Sequence, residues 1–481
     1  MFVYYKIYHF FKGLRTFDAQ FFKSPRHIYI ITLSMCIWFG ACDSIELEDP
    51  DYLISGTSVF KGAETADAAV VGMYSSMMST IGFASGATQS VGFLCGLSAD
   101  EFELYTQQST YGEFYNLALT ADNSFVRSGL WDNIYASIYK SNAILEGLRD
   151  NPDINIEERE PLEGEAYFVR AFCYFYLTNL FGDVPMVTTT DYPTNQLLGR
   201  SGASNIYGFM VEDLKKAVEF LPETYERYNS ERVRPNRFAA MGLLARVYLY
   251  GGQWAEAETM AGEVISQANL YSLPSVEDVF LKNSRETLWQ LMPVVGGKNT
   301  NEGNLLILTS KPSFVAMNKE LEAAFEATDL RREHWIGHYT DDSGIYTFSY
   351  KYKVKNAEVL SEYSMVLRLA EQYLIRSEAR IQQGKLALGL EDLNQVRSRA
   401  AASLLPLTDK ESLMEAVYRE RRLELFNEWG HRWLDLKRSG GSKEVLESYD
   451  KVWEPMDALY PIPLQEITTN PNLTQNDGYS S

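Results

Sequence analysis

The sequence predicts an all-α fold of tetratricopeptide-like stacked helical hairpins with a loop-rich, partly β excursion. Three observations carry this. Residues 237–265 read as helix, Gly251-Gly252 turn, helix. Leu244, Ala245, Tyr248, Gly252, Trp254 and Ala257 there follow the small-and-aromatic pattern that lets paired helices nest. Residues 367–400 repeat the plan around a turn at Gly384, and two such units argue for hairpins that each bury a face on a neighbour. Residues 270–360, between them, lack helical period over long stretches. Within that excursion, Tyr346, Phe348, Tyr350, Tyr352 and Val354 alternate with Thr347, Ser349, Lys351 and Lys353, the period of a strand.

The elements follow in chain order. Lys23, Arg26 and His27 precede an apolar run over 28–39, too short to span a bilayer and suited to a signal-peptide core. It ends Phe39-Gly40-Ala41-Cys42. Small residues before a Cys at that point resemble the lipobox of bacterial lipoproteins, which implies cleavage before Cys42 and lipid on its thiol. An ordinary signal peptide with a chance Cys is the alternative. The 27 residues before the core are long for an n-region and point to a true start inside the chain. The expected division is a signal peptide over 1–41 and one domain over 42–481. That domain comprises a helical scaffold at about 60–270 and 360–440, the excursion at about 271–360, and a C-terminal motif over 441–481.

Residues 64–80 read as a helix packed through Ala68, Val71, Met73 (or Gly72) and Met77. Residues 82–125 are rich in Gly, Ser, Thr and aromatics without sustained period, hence loop-like. Helix returns over 131–148. The longest apolar helix follows, with Asn155 as N-cap, Glu157 and Glu158 in the first turn, and an abrupt end at Gly182 and Pro185. Ala166, Val169, Phe172, Cys173, Tyr176, Leu177 and Leu180 form its stripe, widened by Phe168, Tyr174, Phe175 and Phe181. Arg170 lies within that apolar helix and requires a partner. Residues 205–221 are amphipathic and stop at Pro222, and residues 287–294 read as a short strand.

Composition narrows function. The net charge is −20, and without residues 1–42 it is −24, from 39 basic and 63 acidic side chains. So acidic a chain is a poor partner for nucleic acid or an anionic membrane face. Aromatic content of 13%, with 31 Tyr, suits either a ligand surface or packing between helices. With Cys36 removed and Cys42 acylated, Cys95 and Cys173 remain. A disulfide between them stays open, and the place of Cys173 on the apolar stripe favours a buried thiol.

Four separated motifs carry a resemblance. They are WDNIYASIYKSNAIL (131–145), GEAYFVRAFCYFYLTNLFGDVPMV (164–187), YRERRLELFNEWGHRWLDLKRSG (418–440) and YPIPLQEITTNPNLTQNDGY (460–479). Together, in this order, they resemble the signatures of the SusD/RagB family of outer-membrane nutrient-binding lipoproteins. The resemblance implies a SusD-like fold, lipid anchoring to the outer membrane of a Gram-negative bacterium and exposure to the cell exterior. The acidic run DSIELEDPD after Cys42 would then serve as tether and export signal. It further implies capture of a glycan and delivery to a SusC-like TonB-dependent transporter, with no bond made or broken. Some members look like peptide-uptake components, so a peptide is the alternative ligand.

Enzyme chemistry finds little support. A Walker-type loop, a nucleophile elbow and zinc-spaced Cys/His pairs are absent, and no cofactor motif stands out. His334 and His338, spaced i,i+4 after Glu333, would share one face of a helix, but an exposed polar segment explains them better than a metal. Glu424, Glu428 and Asp435 invite a glycosidase reading. Each has an Arg at helical spacing, with Glu428–Arg432 at i,i+4 and Arg432–Asp435 at i,i+3, which favours an ion-pair network between terminal helices. A surface glycoside hydrolase and a protein-binding tetratricopeptide scaffold remain the readings from other classes.

Sugars present flat C–H faces ringed by hydroxyls, so their sites need aromatic platforms and polar side chains at the rim. The resemblance implies such a site on two loops, here about 93–125 and 295–350. Tyr105, Gln107, Tyr111, Phe114, Trp335 and Tyr339 are the candidates by residue type and expected exposure, with core packing the competing role for each aromatic. Trp131, Trp254 and Trp289 are assigned to packing.

Overall fold

The computed structural model describes residues 59–149 and 151–480; Cys42, the export signal and the acidic run lie outside the described residues. Helix α1 (Ala63–Met77) buries Ala66, Val70, Met73, Tyr74 and Met77. This face is rotated from the expected one, and Ala68 and Val71 are exposed. The Tyr74 hydroxyl, which donates to the buried Glu165 carboxylate at 2.9 Å, fixes that rotation. The stretch expected as loop over 82–125 contains helices α2 (Val91–Ser98) and α3 (Ser109–Tyr115). Nearly every residue of α2 is buried, so its sequence VGFLCGLS shows no polar face and hence no period.

Helix α4 (Asp132–Leu148) leads into α5 (Ile156–Phe181), whose Asn155 cap accepts from the Glu158 backbone N–H at 3.0 Å. Gly182 ends α5 at φ +74°, and a Cβ there would meet the Leu459 side chain at 2.8 Å. Arg170 finds its partner in Asp213 on α6 (Ala203–Phe220), through two hydrogen bonds of 2.7 Å. A third reaches Asn142 on α4, also at 2.7 Å, so one buried guanidinium ties three helices. Cys95 and Cys173 are separate buried thiols.

The two hairpins form as expected, α7 (Arg237–Tyr250) with α8 (Trp254–Ile265), and α10 (Leu369–Gln382) with α11 (Leu386–Arg399); the short α9 (Leu330–Trp335) precedes the second. Helix α8 packs on α10, and α7 joins α10 through fully buried Arg246 and Glu371, paired at 2.7 and 2.6 Å. Helices α12 (Lys410–Leu425) and α13 (His431–Ser439) continue the stack. The C-terminal motif closes on the end of α5, where Asn476 donates to the Phe181 carbonyl at 3.0 Å. Among the described residues no helix is long and apolar enough to cross a membrane.

The excursion is partly β. Strand β1 (Phe102–Leu104) pairs antiparallel with β3 (Val315–Met317), and β2 (Thr287–Leu291) pairs with β6 (Ser364–Arg368). Strands β4 (Ile336–Asp341) and β5 (Gly344–Ser349) form a hairpin. The alternation expected to run to 354 ends at Ser349 because Lys351 turns inward: its ammonium donates to Glu428 at 2.5 Å and to the Glu424 carbonyl at 2.8 Å.

The two pairs expected along a helix in the C-terminal signature, Glu428–Arg432 and Arg432–Asp435, do not form. Helix α12 stops at Leu425, Asn427 and Trp429 adopt positive φ, and α13 starts only at His431. That turn separates Glu428 from Arg432. Glu428 instead meets Arg368 and Lys351, Arg432 meets Asp100 at 2.6 and 2.9 Å, and Asp435 meets Arg421 at 2.7 Å and Arg438 at 2.8 Å. Glu424 takes Arg331 from α9 at 2.7 Å, Arg368 from β6 at 2.5 Å, and Arg399 from α11. The network thus ties excursion, second hairpin and C-terminal helices together.

Candidate functional site

The pairing of β1 with β3 decides where the first loop lies. The Tyr105 N–H donates to the Phe314 carbonyl at 2.8 Å, which continues the ladder and carries Tyr105 onto the excursion. Its ring then meets Tyr346 of β5 edge-on, with centroids 6.0 Å apart. Tyr346 stands directly opposite Tyr339 in the β4–β5 register. Opposed residues in an antiparallel pair project from the same face, so Tyr105, Tyr346 and Tyr339 share one half-exposed tyrosine surface. The hairpin's own hydrogen bonds hold it: the Asp341 carboxylate accepts from the Ser343 N–H at 2.8 Å, and the Ser343 hydroxyl lies 2.8 Å from that of Tyr346. Gly337 leaves room for the Phe348 ring, which a Cβ would meet at 2.4 Å.

Beside this surface opens a cleft of about 510 Å³, with Tyr105 in its wall. Glu103, Asn318, Lys319, Glu320 and Tyr449 supply polar groups, and Tyr115 a further ring. The Tyr105 hydroxyl donates to Glu103 at 3.0 Å, and partial burial together with that carboxylate pushes it up to about 12. Lys451, also in the wall, is spent on the fold: burial lowers its ammonium to about 7, and it donates to the Leu97 carbonyl at 2.7 Å. Chemically, the arrangement offers flat aromatic faces bordered by carboxylate, amide and ammonium groups.

Two of the six expected site residues, Tyr105 and Tyr339, lie half-buried at this surface, and Gln107 is exposed two residues beyond Tyr105. The other three belong to the core. Tyr111 and Phe114 occupy the inward side of α3: Tyr111 packs on Phe125 and Phe314, each at 4.8 Å, and Phe114 on Tyr460 at 5.5 Å. Trp335 is fully buried, with its indole N–H donating to the Val276 carbonyl at 2.8 Å. Aromatic type alone did not separate these roles. Tyr346 was the missing member, although the period-two pattern already marked it as a strand residue.

Comparison with known proteins follows this geometry. A family model described as starch-binding associating with outer membrane matches residues 77–249, and the SusD family model matches residues 331–479. The chain belongs to the SusD/RagB family. A SusD-like protein of Formosa agariphila is 26% identical to this family member, over 94% of this chain and 97% of its own length. A SusD superfamily protein from Bacteroides vulgatus superposes with a TM-score of 0.77 at 21% identity, covering 87% of this chain and 99% of its own. A laminarin-binding SusD-like protein superposes with 0.73 at 24% identity, covering 86% and 99%. The SusD-like helical fold is therefore established.

Within this SusD/RagB chain the alternative chemistries lose their geometry. Helix α9 ends at Trp335, so His334 and His338 do not share a helix face. His334 pairs with Glu277 at 3.1 Å and His338 with Glu322 at 3.0 Å. Among the described residues no group of three or more His, Cys, Asp or Glu is placed to hold a metal ion. Glu424, Glu428 and Asp435, the imagined glycosidase carboxylates, are buried and spent on arginines and Lys351.

Proposed function

We propose that this chain is a lipid-anchored protein of the outer membrane, facing the cell exterior, that binds a glycan and passes it to a SusC-like TonB-dependent transporter. The observation that carries the reading is the Tyr105–Tyr346–Tyr339 surface above a polar cleft. Tyrosine faces stack on sugar C–H faces, while Glu103, Asn318 and Gln107 suit the hydroxyl rim. The family model's starch-binding description and the laminarin bound by one structural neighbour support a neutral glucan. An acidic chain suits an uncharged ligand.

Titration calorimetry with maltoheptaose and laminarihexaose tests the site. Tyr105→Ala and Tyr346→Ala are each expected to weaken binding about tenfold, the order of one aromatic contact plus its buried area, with thermal unfolding unchanged. Wild-type affinity in both variants would refute the placement. Incubation with either oligosaccharide should release no new reducing ends, and their appearance would identify an enzyme instead. For the anchor, Cys42→Ala is expected to abolish membrane attachment or block maturation, scored by membrane fractionation and palmitate labelling. Normal attachment of the variant removes the lipoprotein reading.

A further inference from the structure

A second cleft, also of about 510 Å³, shares no lining residue with the first. Its wall is helix α4, on which Asp132, Tyr135, Ala136 and Tyr139 recur at the spacing of one helix face. The segment around Tyr192 and Gln196 and the C-terminal motif, through Glu466, Asn470 and Leu473, complete its lining. The wall is rigid. Trp131 lies 5.0 Å from both Tyr135 and Phe181, and the Tyr135 hydroxyl donates to the Pro185 carbonyl at 2.9 Å.

Two large rings at the mouth have no structural use for their exposure. Tyr139 is 53% and Tyr192 72% exposed, and both line the cleft. Thr190, Gln196, Asp132 and Glu466 line the same cleft. Burial raises the carboxyl groups of Asp132 and Glu466, and for Glu466 the nearby Asp132 adds to this. Such a site repels anions and accepts hydrogen bonds from hydroxyls, while the tyrosines offer apolar faces. An apolar protein segment would take water from the exposed Asp132 and the half-buried Glu466 without supplying either a new donor.

We infer that this cleft is a second glycan-binding site, for a neutral oligosaccharide stacked on Tyr139 and Tyr192 and held by Asp132, Gln196 and Glu466. The inference shares its ligand class with the proposed function but not its residues. Two sites on one chain engage a long polysaccharide at two points, which raises its apparent affinity above that of either site.

The test uses fluorotyrosine-labelled protein, with the fluorine resonances of Tyr105, Tyr139, Tyr192 and Tyr346 assigned by single Tyr→Phe substitutions. Maltoheptaose, laminarihexaose, mannohexaose and xylohexaose are the probes. Saturable shifts at Tyr139 and Tyr192 with at least one of the four are expected, and they should persist in the Tyr105→Ala/Tyr346→Ala double variant. Tyr139→Ala/Tyr192→Ala, altering only exposed rings, should weaken retention by the matching polysaccharide at least about tenfold. Shifts confined to Tyr105 and Tyr346 overturn the second site and leave the first standing. Shifts confined to Tyr139 and Tyr192 do the reverse, and silence at all four with every probe overturns both.

Discussion

Replacing Glu424 by glutamine is expected to lower the stability of the folded chain by roughly 3–5 kcal/mol, the range for removing one partner from a buried charge cluster. Glu424 is fully buried and accepts from three guanidiniums, those of Arg331, Arg368 and Arg399. Glutamine keeps the shape but removes the charge that lets these three cations lie together. Glu286, Glu420 and Glu428 compensate only part, since each already faces one or more of the same arginines or Arg397 or Lys351. Guanidinium chloride denaturation measures the effect as a lower midpoint at unchanged slope. A loss under about 1 kcal/mol would show that the remaining carboxylates rebalance the cluster.

The same group fixes the acid limb of stability. Burial by itself would raise the Glu424 carboxyl, but Arg399, Arg368 and Arg331 hold it well below its ordinary 4.5. Its folded-state pKa therefore lies below the unfolded one. The stability it supplies is present above the unfolded value and is lost as pH falls beneath it. Asp100 and Asp435 are lowered too: burial opposes this, and Arg432 with Arg422, and Arg421 with Arg438, outweigh it. Acid should thus destabilise the wild type below about pH 4.5 more steeply than it destabilises Glu424→Gln, which has already lost one such group.

That network shows where sequence reasoning reaches and where it stops. The charged residues of the C-terminal signature stood out because so many of them fall in one short stretch. Their partners did not, because helical spacing assumes a continuous helix and the turn through Asn427, Trp429 and Gly430 breaks it. The real partners of Glu424 lie 25 to 93 residues away. A helix with one buried stripe, such as α6, was legible from period alone. Helix α2 was not, because burial on nearly all sides erases the period that reveals a helix. The two loops that meet at the site followed from family resemblance. Which rings stay at the surface depends on the β1–β3 ladder, a pairing between segments some 210 residues apart that no local pattern announces.

Trp335 and Tyr339 make that distinction measurable. Trp335→Ala is expected to lower stability by about 3–5 kcal/mol, as for other buried large-to-small changes. Its ring lies against Phe280 at 5.4 Å and beneath three cations of the network, Lys351 at 4.8 Å, Arg399 at 5.4 Å and Arg368 at 5.9 Å. Truncation removes that electron-rich face as well as volume, and leaves the Val276 carbonyl without its donor. Calorimetry on the folded Trp335→Ala protein, kept below its denaturation midpoint, should still return wild-type glycan affinity. Tyr339→Ala should do the opposite, leaving stability within about 0.5 kcal/mol of wild type and weakening glycan binding several-fold. The reason is the backbone between them. Helix α9 ends on an inward Trp335, the chain becomes extended at Ile336, and three residues later the tyrosine emerges on the open face of the hairpin. Lost affinity in folded Trp335→Ala, or lost stability in Tyr339→Ala, would mean that the core cluster and the tyrosine surface are one coupled unit.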